Sequence, residues 1–381
     1  MAVSTSVDWQ GTDIDVALIE RHLSTLWGKL SRDAKLGPPV RTSIFNLVVY
    51  TTDEDTAEQI CANLDRLPGR QPSRVIVFIA DRLSPRTAVD ASVSVRCHAP
   101  GDGSRLCDER LVVAAHNRAA EHLDSVVIPL LLPDIPTYLW WPGQPPFGHR
   151  VFHRLLSVAD QLVVDSGQFH TPGDGFLELS RLCAGKYGVN DFHWARLTQW
   201  RAVIAQFFAG ANWLPYADGI VSMKIEFGSG DVTWPTSAAL LLVGWMACHL
   251  GWEPETPLDT ALNQDMQMYV LQGERLIPIE FQLRDFGARG AGRLRLMEIV
   301  SQPRGYPPAR FSVHRTEDLR HVQVNMEVHG GVEITRVVPL ATRTDVETLA
   351  DELDLAGHDR LYEVVAMTAA RMAGREMWEP S

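Results

Sequence analysis

Residues 43–55, SIFNLVVYTTDED, decide the fold class of the first half of the chain. The apolar and β-branched residues of 43–51 predict a buried strand, and the acidic residues of 52–55 predict the capped start of a helix that runs to about Leu67. A second apolar run at 75–80 predicts another buried strand. Because a strand, a helix and a strand in this order form a parallel βαβ unit, the segment predicts an α/β domain.

The sequence on both sides of this unit extends the α/β prediction. Upstream, the leucines of 23–30 recur at helical spacing and predict a helical opening. Downstream, the alternating residues 91–97 and the run 105–114 predict a hairpin around a turn at 100–103. Later elements are predicted as a helix at 117–131, a strand at 137–141 and a strand at 161–165. Together they predict a Rossmann-like mixed sheet.

The turn after the first strand lacks the glycines of a dinucleotide-binding domain. In such a domain a glycine-rich turn brings the pyrophosphate to the N-terminus of the following helix. Here Asp53, Glu54 and Asp55 stand at that position, and their carboxylates suit a helix N-terminus but repel phosphate. We therefore predict a Rossmann-like sheet without a nucleotide fingerprint, and no cofactor.

The second half of the chain predicts an α+β domain. Apolar faces predict one helix capped by Asp191 and another that begins at 233–235. Short strand-like runs follow at 277–284, 293–301, 309–314, 322–328 and 332–338, and two helices close the chain. The predicted organisation is a helical segment at 1–38, an α/β domain at 39–170 and an α+β domain at 171–381, with a largely antiparallel sheet and C-terminal helices.

Composition limits the classes of partner. The 381 residues include 35 Lys+Arg against 47 Asp+Glu, a net charge of −12, and this balance disfavours nucleic acid or an anionic membrane as the main partner. We find neither a signal peptide nor an apolar run long enough to span a bilayer. Five cysteines without a CxxC motif are typical of reduced thiols. We therefore expect a cytoplasmic protein.

Sequence motifs for metal binding or catalysis are weak in this chain. His149 and His153 are four residues apart, but neither an HExxH motif nor a cysteine pair supports a metal site. The segment 164–167, VDSG, lacks the first glycine of a nucleophile elbow. We therefore expect no catalytic residue and no metal.

One local concentration of basic residues remains. Arg284, Arg289, Arg293 and Arg295 surround the glycines of 287–292. A flexible basic loop of this kind holds a phosphate through backbone N–H groups and guanidinium groups. The alternative is a hairpin tip with solvated arginines, and the sequence leaves both open.

Two cysteines are predicted to face each other. If the hairpin turn centres on Asp102, Cys97 and Cys107 occupy directly opposite positions, close enough for a disulfide after modest adjustment. A redox pair and two reduced, packed thiols are the two interpretations.

Two adjacent tryptophans end a predicted strand. Trp140 and Trp141 project to opposite faces, so both are buried only if both faces of the sheet are covered. Otherwise one of them lies at the surface, where tryptophan is a favoured interface anchor.

Seven segments form an ordered set along the chain: residues 41–49 (RTSIFNLVV), 71–78 (QPSRVIVF), 107–109 (CDE), 135–143 (IPTYLWWPG), 159–166 (ADQLVVDS), 197–208 (LTQWRAVIAQFF) and 305–311 (GYPPARF). Together they resemble the OpcA family of glucose-6-phosphate dehydrogenase assembly proteins. The similarity extends over roughly residues 40–340, in the same order and with similar spacing.

The resemblance implies a non-catalytic protein. It implies an assembly factor and allosteric activator that binds glucose-6-phosphate dehydrogenase and supports NADPH production in the oxidative pentose phosphate pathway. In photosynthetic members cysteines near the C-terminus link this effect to thiol redox state. The last cysteine here is Cys248, so we do not expect that route of control.

The resemblance also selects candidate residues. The positions that match the family pattern are Arg41, Asn46, Ser73, Arg74, Glu109, Asp165 and Ser166. As strand-end residues they are also suited to holding loops. For the interface we expect exposed aromatic and charged residues, with Trp140, Trp141, Arg289, Arg293 and Arg295 as candidates. An α/β enzyme or a metabolite-sensing module acting on a phosphorylated sugar is the alternative.

Overall fold

The computed structural model describes residues 4–32, 39–66, 72–98, 105–185, 187–229, 236–258, 265–287, 292–331, 333–340, 347–349 and 359–375. The fold divides into two compact units. The first comprises Met1–Asp165, Lys186–Asn190 and Asp345–His358, and the second comprises Ser166–Gly185, Asp191–Thr344 and Asp359–Ser381. Both units are discontinuous in sequence, whereas the sequence predicts contiguous domains.

The first unit is a mixed sheet with helices. Its strands are β1 (Ser4–Gly11), β2 (Pro39–Val40), β3 (Phe45–Thr51), β4 (Ser73–Asp81), β5 (Ala88–His98), β6 (Arg105–His116), β7 (Thr137–Trp141), β8 (Gln161–Val164) and β9 (Gly188–Asp191). Its helices are α1 (Ile19–Ser31), α2 (Glu54–Leu64), α3 (Leu123–Val127) and α4 (Arg150–Leu156).

The predicted βαβ unit is present. β3 and β4 pair in parallel, with Phe45 opposite Ser73, and every residue of β3 is buried. The strand order is β1-β5-β6-β4-β3-β7-β8-β9, and β6, β4, β3, β7 and β8 run parallel to one another. The chain moves outward in one direction from β3 to β4 and β6, and then returns to add β7 and β8 on the other side. The order therefore reverses between β3 and β7.

The N-terminal segment differs from its prediction. Residues 1–38 were expected to be helical, and α1 does bury Leu23, Leu26 and Leu30. However, Ser4–Gly11 form β1, which pairs antiparallel with β5 at the sheet edge. β1 has two apolar side chains, Val7 and Trp9, and both are only half-buried, so the alternation is a weak strand signal. Trp9 instead stacks on His22 of α1, with ring centroids 3.6 Å apart.

The helix predicted at 117–131 is broken into three short pieces. They are a 3-10 helix at Asn117–His122, α3, and a second 3-10 helix at Ile128–Leu130. Asn117 has a φ of +53°, and Pro129 has no N–H to donate to a continuous helix.

The second unit combines helices with a second sheet. Its helices are α5 (Pro172–Cys183), α6 (Phe192–Ala205), α7 (Leu214–Asp218), α8 (Thr236–Leu250) and α9 (Arg360–Met372). Its strands are β10 (Ile220–Gly228), β11 (Glu253–Thr256), β12 (Met266–Gln272), β13 (Arg275–Arg284), β14 (Leu294–Ser301), β15 (Ala309–Arg315), β16 (His321–Val328) and β17 (Glu333–Pro339). Among the described helices of the chain, none has both the length and the apolar composition required to cross a membrane.

The sheet of the second unit is antiparallel with one exception. Its strand order is β11-β12-β13-β10-β14-β15-β16-β17, and β10 pairs in parallel with β13. The sequence did not predict β10, β11 or β12. In β10 the buried residues do not alternate strictly, because Glu226 is buried between Ile225 and Phe227. The period-2 signal on which strand prediction depends is therefore weak there.

Asp53 provides a test of how the βαβ unit is held. Its carboxylate Oδ1 accepts a 2.7 Å hydrogen bond from the Thr56 amide, and this bond lowers the pKa of Asp53. We expect Asp53→Ala to lower the free energy of unfolding in urea at pH 7 by about 1 kcal/mol, since a helix N-cap contributes that much.

Asp53→Asn is the matched control, because an amide oxygen still accepts the bond. As the pKa is lowered in the folded state, the charge-dependent part of this stability is present above the ordinary pKa of about 4. It is lost as the pH falls through the folded value. Equal stability of Asp53→Ala and the unsubstituted chain would contradict this role.

Candidate functional site

A buried ion pair joins β4 and β6. Arg74 and Glu109 lie opposite each other in the two strands, and each is 1% exposed. The Arg74 Nε and Nη2 atoms are 2.7 Å and 2.6 Å from Glu109 Oε2. Two opposite charges in this geometry compensate each other's loss of hydration, which neither could do alone.

The other oxygen of Glu109 is also occupied. Trp27 Nε1 of α1 donates to Oε1 at 2.7 Å, and Arg41 Nε donates to the same atom at 3.0 Å. The Arg41 guanidinium lies 5.5 Å from the centroid of the Trp27 ring. Arg74 Nη1 in turn donates to Glu20 of α1. Glu109 is therefore the centre of a network that ties α1 to the sheet.

Asn46 and Arg74 hold the same loop. The Asn46 side-chain amide donates to the Leu132 carbonyl at 2.9 Å and accepts from the Leu132 amide at 3.0 Å. Arg74 Nη1 donates to the Leu130 carbonyl at 2.7 Å. Ser73, the neighbour of Arg74, is also buried. Of the family-pattern positions, Asn46 and Arg74 thus contact the loop before β7 directly, and Glu109 is connected to it through Arg74.

This network is suited to holding α1 and the loop before β7 in position rather than to taking part in a chemical reaction. Both oxygens of Glu109 accept hydrogen bonds, and its charge is opposed by Arg74 and Arg41. Glu109 is 1% exposed, so a substrate cannot come within the hydrogen-bond distance that proton transfer requires. Sequence reasoning missed Glu20 and Trp27, whose contacts cross 54 and 82 residues of sequence.

Ser166 makes a different set of contacts, within the second unit. Its amide donates to Asp191 Oδ1 at 3.0 Å, and its carbonyl accepts from Ser237 Oγ at 2.5 Å. Asp191 also caps α6 and accepts from the Tyr362 hydroxyl at 3.0 Å. Burial and the Asp191 charge raise the pKa of Tyr362. Asp165, the preceding residue, is buried in the first unit.

The two adjacent tryptophans are core residues. Trp140 is 6% exposed and Trp141 is 5% exposed, so the prediction of an exposed interface at this strand end is wrong. The reason is that both faces of the sheet are covered at β7. Trp141 stacks on Tyr50 of β3 with centroids 4.0 Å apart, and Phe152 of α4 contacts its ring edge-on.

Side chains also fill the edge of the sheet at which the strand order reverses. Tyr50 and Trp141 are at the carboxyl ends of β3 and β7, which is where open α/β sheets bind their ligands. The helix N-terminus beside them carries Asp53, Glu54 and Asp55. Aromatic rings and carboxylates therefore stand where a dinucleotide requires an open crevice and free amides.

The basic candidates lie in the second unit. Arg293 is exposed, and the guanidinium of Arg295 lies 5.2 Å from the centroid of the Phe286 ring. Arg289 lies outside the described residues. The candidate zinc residue His149 is used otherwise, since its Nδ1 accepts from the Val151 amide at 3.2 Å. Within the described ranges no three His, Cys, Asp or Glu side chains are grouped to hold a metal ion.

Cys97 and Cys107 are opposite each other in β5 and β6, and each is 1% exposed. Their sulfur atoms are bonded in a disulfide. The expectation that all five thiols are reduced therefore fails for this pair, because the strand register brings the two side chains together. Cys61, Cys183 and Cys248 are free thiols, and burial raises the pKa of Cys183 to about 12. Redox control by the pair stays a prediction.

Both halves of the chain match family profiles. Residues 65–181 match the one described as the glucose-6-phosphate dehydrogenase subunit N-terminal domain, and residues 187–366 match the one described as its C-terminal domain. Together they cover more than three quarters of the chain.

Among similar curated proteins, one from Synechocystis sp. is 25% identical over 78% of this chain, and one from Synechococcus elongatus is 24% identical over 82%. Both are provisionally named OxPP cycle protein OpcA. The chain spans 63% of the length of the first and 70% of the second.

Solved structures with a similar arrangement include two NADP complexes. A 3-ketoreductase from Actinomadura kijaniata has a TM-score of 0.46 and 11% identity, with 89% of this chain and 100% of that chain covered. A biliverdin reductase from Synechocystis sp. has a TM-score of 0.45 and 10% identity, with 87% and 99% covered.

Because Glu109 is the centre of this network, we expect its replacement to lower the stability of the protein strongly. Glu109→Ala leaves the buried Arg74 guanidinium without its main counter-charge, so we expect the free energy of unfolding in urea to fall by about 3–5 kcal/mol. Glu298→Ala is the matched control, because its pair with Arg310 is exposed and contributes about 1 kcal/mol or less.

A second variant separates the missing charge from the missing volume. Arg74→Met combined with Glu109→Leu removes both charges and keeps an apolar filling, so we expect it to recover part of the loss. A Glu109→Ala protein as stable as the Glu298→Ala control would contradict the role of the network.

The disulfide predicts a thiol count. We expect the chain, purified without reductant and unfolded in denaturant, to present three reactive thiols, and five after reduction. Cys97→Ser should present four, because it releases Cys107. Five thiols in the unreduced chain would show that the pair is not bonded.

Proposed function

The chain belongs to the OpcA family of glucose-6-phosphate dehydrogenase assembly proteins, and on this premise we propose that it is a non-catalytic assembly factor and allosteric activator of glucose-6-phosphate dehydrogenase. The observation that carries the proposal is that the matches to the family's two domains follow each other directly and reach into both structural units. In this role the protein supports NADPH production in the oxidative pentose phosphate pathway. It acts in the cytoplasm and has no nucleic-acid partner.

The geometry of the first unit supports a non-catalytic role. We infer a Rossmann-like fold in which the stacked rings of Tyr50 and Trp141 fill the ligand crevice. The N-terminus of α2 is occupied by its own Asp53. An α/β enzyme acting on a phosphorylated sugar is the alternative, and turnover by the isolated chain without any dehydrogenase would favour it.

Activation requires a difference in affinity. An activator must bind the active conformation or oligomer of the enzyme more tightly than the inactive one, and a tenfold shift requires about 1.4 kcal/mol of difference. Such a contact depends on a few well-ordered anchor side chains.

The loop between β14 and β15 offers such an anchor. Tyr306 is 49% exposed, yet its backbone is held, since its amide donates to the Pro303 carbonyl at 3.2 Å. The Gln302 amide donates to the Gly219 carbonyl at 2.8 Å. A Cβ on Gly219 would come within 2.6 Å of the Pro303 nitrogen, so the close approach of the two segments requires glycine there.

A second exposed apolar residue belongs to a segment that contacts Tyr306. Leu214 of α7 is 59% exposed, and Tyr216 in the same helix makes an edge-on contact with Tyr306 at 6.0 Å between centroids. Ordered aromatic residues cost little conformational entropy on binding, which suits them as anchors. We place the proposed contact with the dehydrogenase here, on Leu214 and Tyr306.

The other candidate surface lies at the opposite end of β14. Arg293 precedes β14, whereas Tyr306 follows it, and eight residues of strand separate the two ends by about 26 Å. The two ends therefore require separate tests, and Arg293→Glu tests the arginine end.

The proposal is tested by mixing the purified chain with its cognate dehydrogenase. We expect a complex in mass measurements and a shift in the glucose-6-phosphate saturation curve of the enzyme. Tyr306→Ala should weaken the complex about 30-fold, as loss of an anchor residue does. Leu214→Ala should weaken it less.

Two matched controls remove the same groups elsewhere. Leu83→Ala deletes a side chain that is 96% exposed in the first unit, and Tyr269→Ala deletes a tyrosine from β12. Neither should change the complex. No complex and no kinetic shift with the unsubstituted chain would remove the proposed function, whereas normal binding by Tyr306→Ala would remove only the proposed surface.

A further inference from the structure

A cavity of about 700 Å³ opens at one end of the second sheet. It is formed by the turn after β13, the start of β14 and the end of β15. Its lining residues are Asp285, Phe286, Gly287, Arg295, His314, Arg315, Thr316 and Glu317. This volume is within the range of about 300–1,000 Å³ that small-molecule sites occupy.

Arg315 is fixed in place by backbone carbonyls and an aromatic ring. Its Nε donates to the Leu294 carbonyl at 2.9 Å, and its Nη1 donates to the Leu319 carbonyl at 3.1 Å. Trp200 lies against the guanidinium, 5.4 Å from ring centroid to Cζ. In the part of the chain that the structure describes, no carboxylate is within ion-pair distance of Arg315. Burial and the nearby charge of Arg293 lower the pKa of Arg315 to about 10.

The counter-charge nearest to Arg295 among the described residues is shared with a lysine. Its nearest carboxylate is Glu226, at 3.8 Å, and the other oxygen of Glu226 is 2.7 Å from Lys224 Nζ. The exposed Arg293 adds a further positive charge close to Arg315. Among the described residues, Arg315 therefore supplies a positive charge that no carboxylate pairs at ion-pair distance, in a chain whose net charge is −12.

The remaining lining adds contacts of other kinds. The two acidic residues of the lining, Asp285 and Glu317, are both exposed, and Asp285 Oδ1 accepts a hydrogen bond from the Gly287 amide at 2.9 Å. Partial burial lowers the pKa of His314, and its ring nitrogens add polar groups to the lining. The Phe286 ring provides an apolar wall beneath Arg295.

We propose that this cavity binds a small phosphorylated organic molecule, with its phosphate between Arg295 and Arg315 and its organic part against Phe286. Guanidinium groups bind phosphate through paired, charge-assisted hydrogen bonds, and they do so best where the groups are already oriented and partly removed from water. The site goes beyond the proposed function, because binding here requires no dehydrogenase.

Isothermal titration of the isolated full-length chain tests the site. The probes are glucose 6-phosphate and adenosine 5′-monophosphate, which share a phosphate monoester, with glucose and adenosine as phosphate-free controls. We expect at least one phosphate ester to bind at least about tenfold more tightly than its control, since hydrogen bonds between charged groups contribute that much. The ester that binds identifies the organic part as a sugar or a nucleoside.

Arg295→Gln should weaken this binding about tenfold or more, and so should Arg315→Gln. Arg315 also holds two carbonyls, so Arg295→Gln, checked for an unchanged melting curve, is the deciding variant. Arg310→Gln is the matched control, because Arg310 is exposed in β15 and paired with Glu298. It should change binding less than about twofold.

The proposal is overturned if neither ester binds at millimolar concentration, if glucose or adenosine binds equally well, or if a folded Arg295→Gln protein binds like the unsubstituted chain. These outcomes are separable from those of the proposed function. Tyr306→Ala should keep the binding of the phosphate ester, and the titration contains no dehydrogenase, so its result does not depend on whether the complex forms.

Discussion

The carboxylate of Glu109 lies in the interior of the first unit, and an ionised group in that position must be compensated by charge and hydrogen bonds. Arg74, Arg41 and Trp27 meet this requirement from β4, from the segment before β3, and from α1. Through Arg74 the same network reaches the loop before β7. One buried charge therefore decides how α1 and the amino ends of the central strands are arranged.

The two ends of that sheet are occupied in different ways. Polar contacts around Glu109 and Asn46 hold the amino ends, while the Tyr50–Trp141 stack and the acidic start of α2 fill the carboxyl ends. An α/β sheet normally keeps its carboxyl end open for a ligand. The surfaces that we assign to function therefore belong to the second unit, at the two ends of β14. The Tyr306 end offers an ordered aromatic anchor, and the Arg295 end offers positive charge beside an apolar wall. The Tyr306 end is therefore suited to contact with a protein surface, and the Arg295 end is suited to binding a small anion.

The local pattern of apolar and polar residues was sufficient to predict much of the fold. The run 43–51, the acidic cap at Asp53 and the alternation at 91–97 correspond to β3, the start of α2 and β5. The prediction failed where an element depends on its neighbours. β1 is recognisable as a strand through its pairing with β5, and Pro129 breaks a segment whose apolar residues predict a helix. In the site, three residues of the family pattern, Arg41, Arg74 and Glu109, meet in one network, and the sequence did not indicate the other members of that network. Glu20 contacts Arg74, and Trp27 contacts Glu109, across more than fifty residues of sequence, and no local signal marks them.

The sequence by itself determined the α/β character of the first half, the acidic charge, the acidic turn after the first strand and the resemblance to a family. These properties depend on residue type and on spacing along the chain. Only the tertiary structure decided that Trp140 and Trp141 are core residues, that Cys97 bonds to Cys107, and that the arginines near β14 border a cavity. Burial, pairing and uncompensated charge are properties of groups that are distant in sequence. They exist only once strand register and the packing of helices on the sheet have brought those groups together.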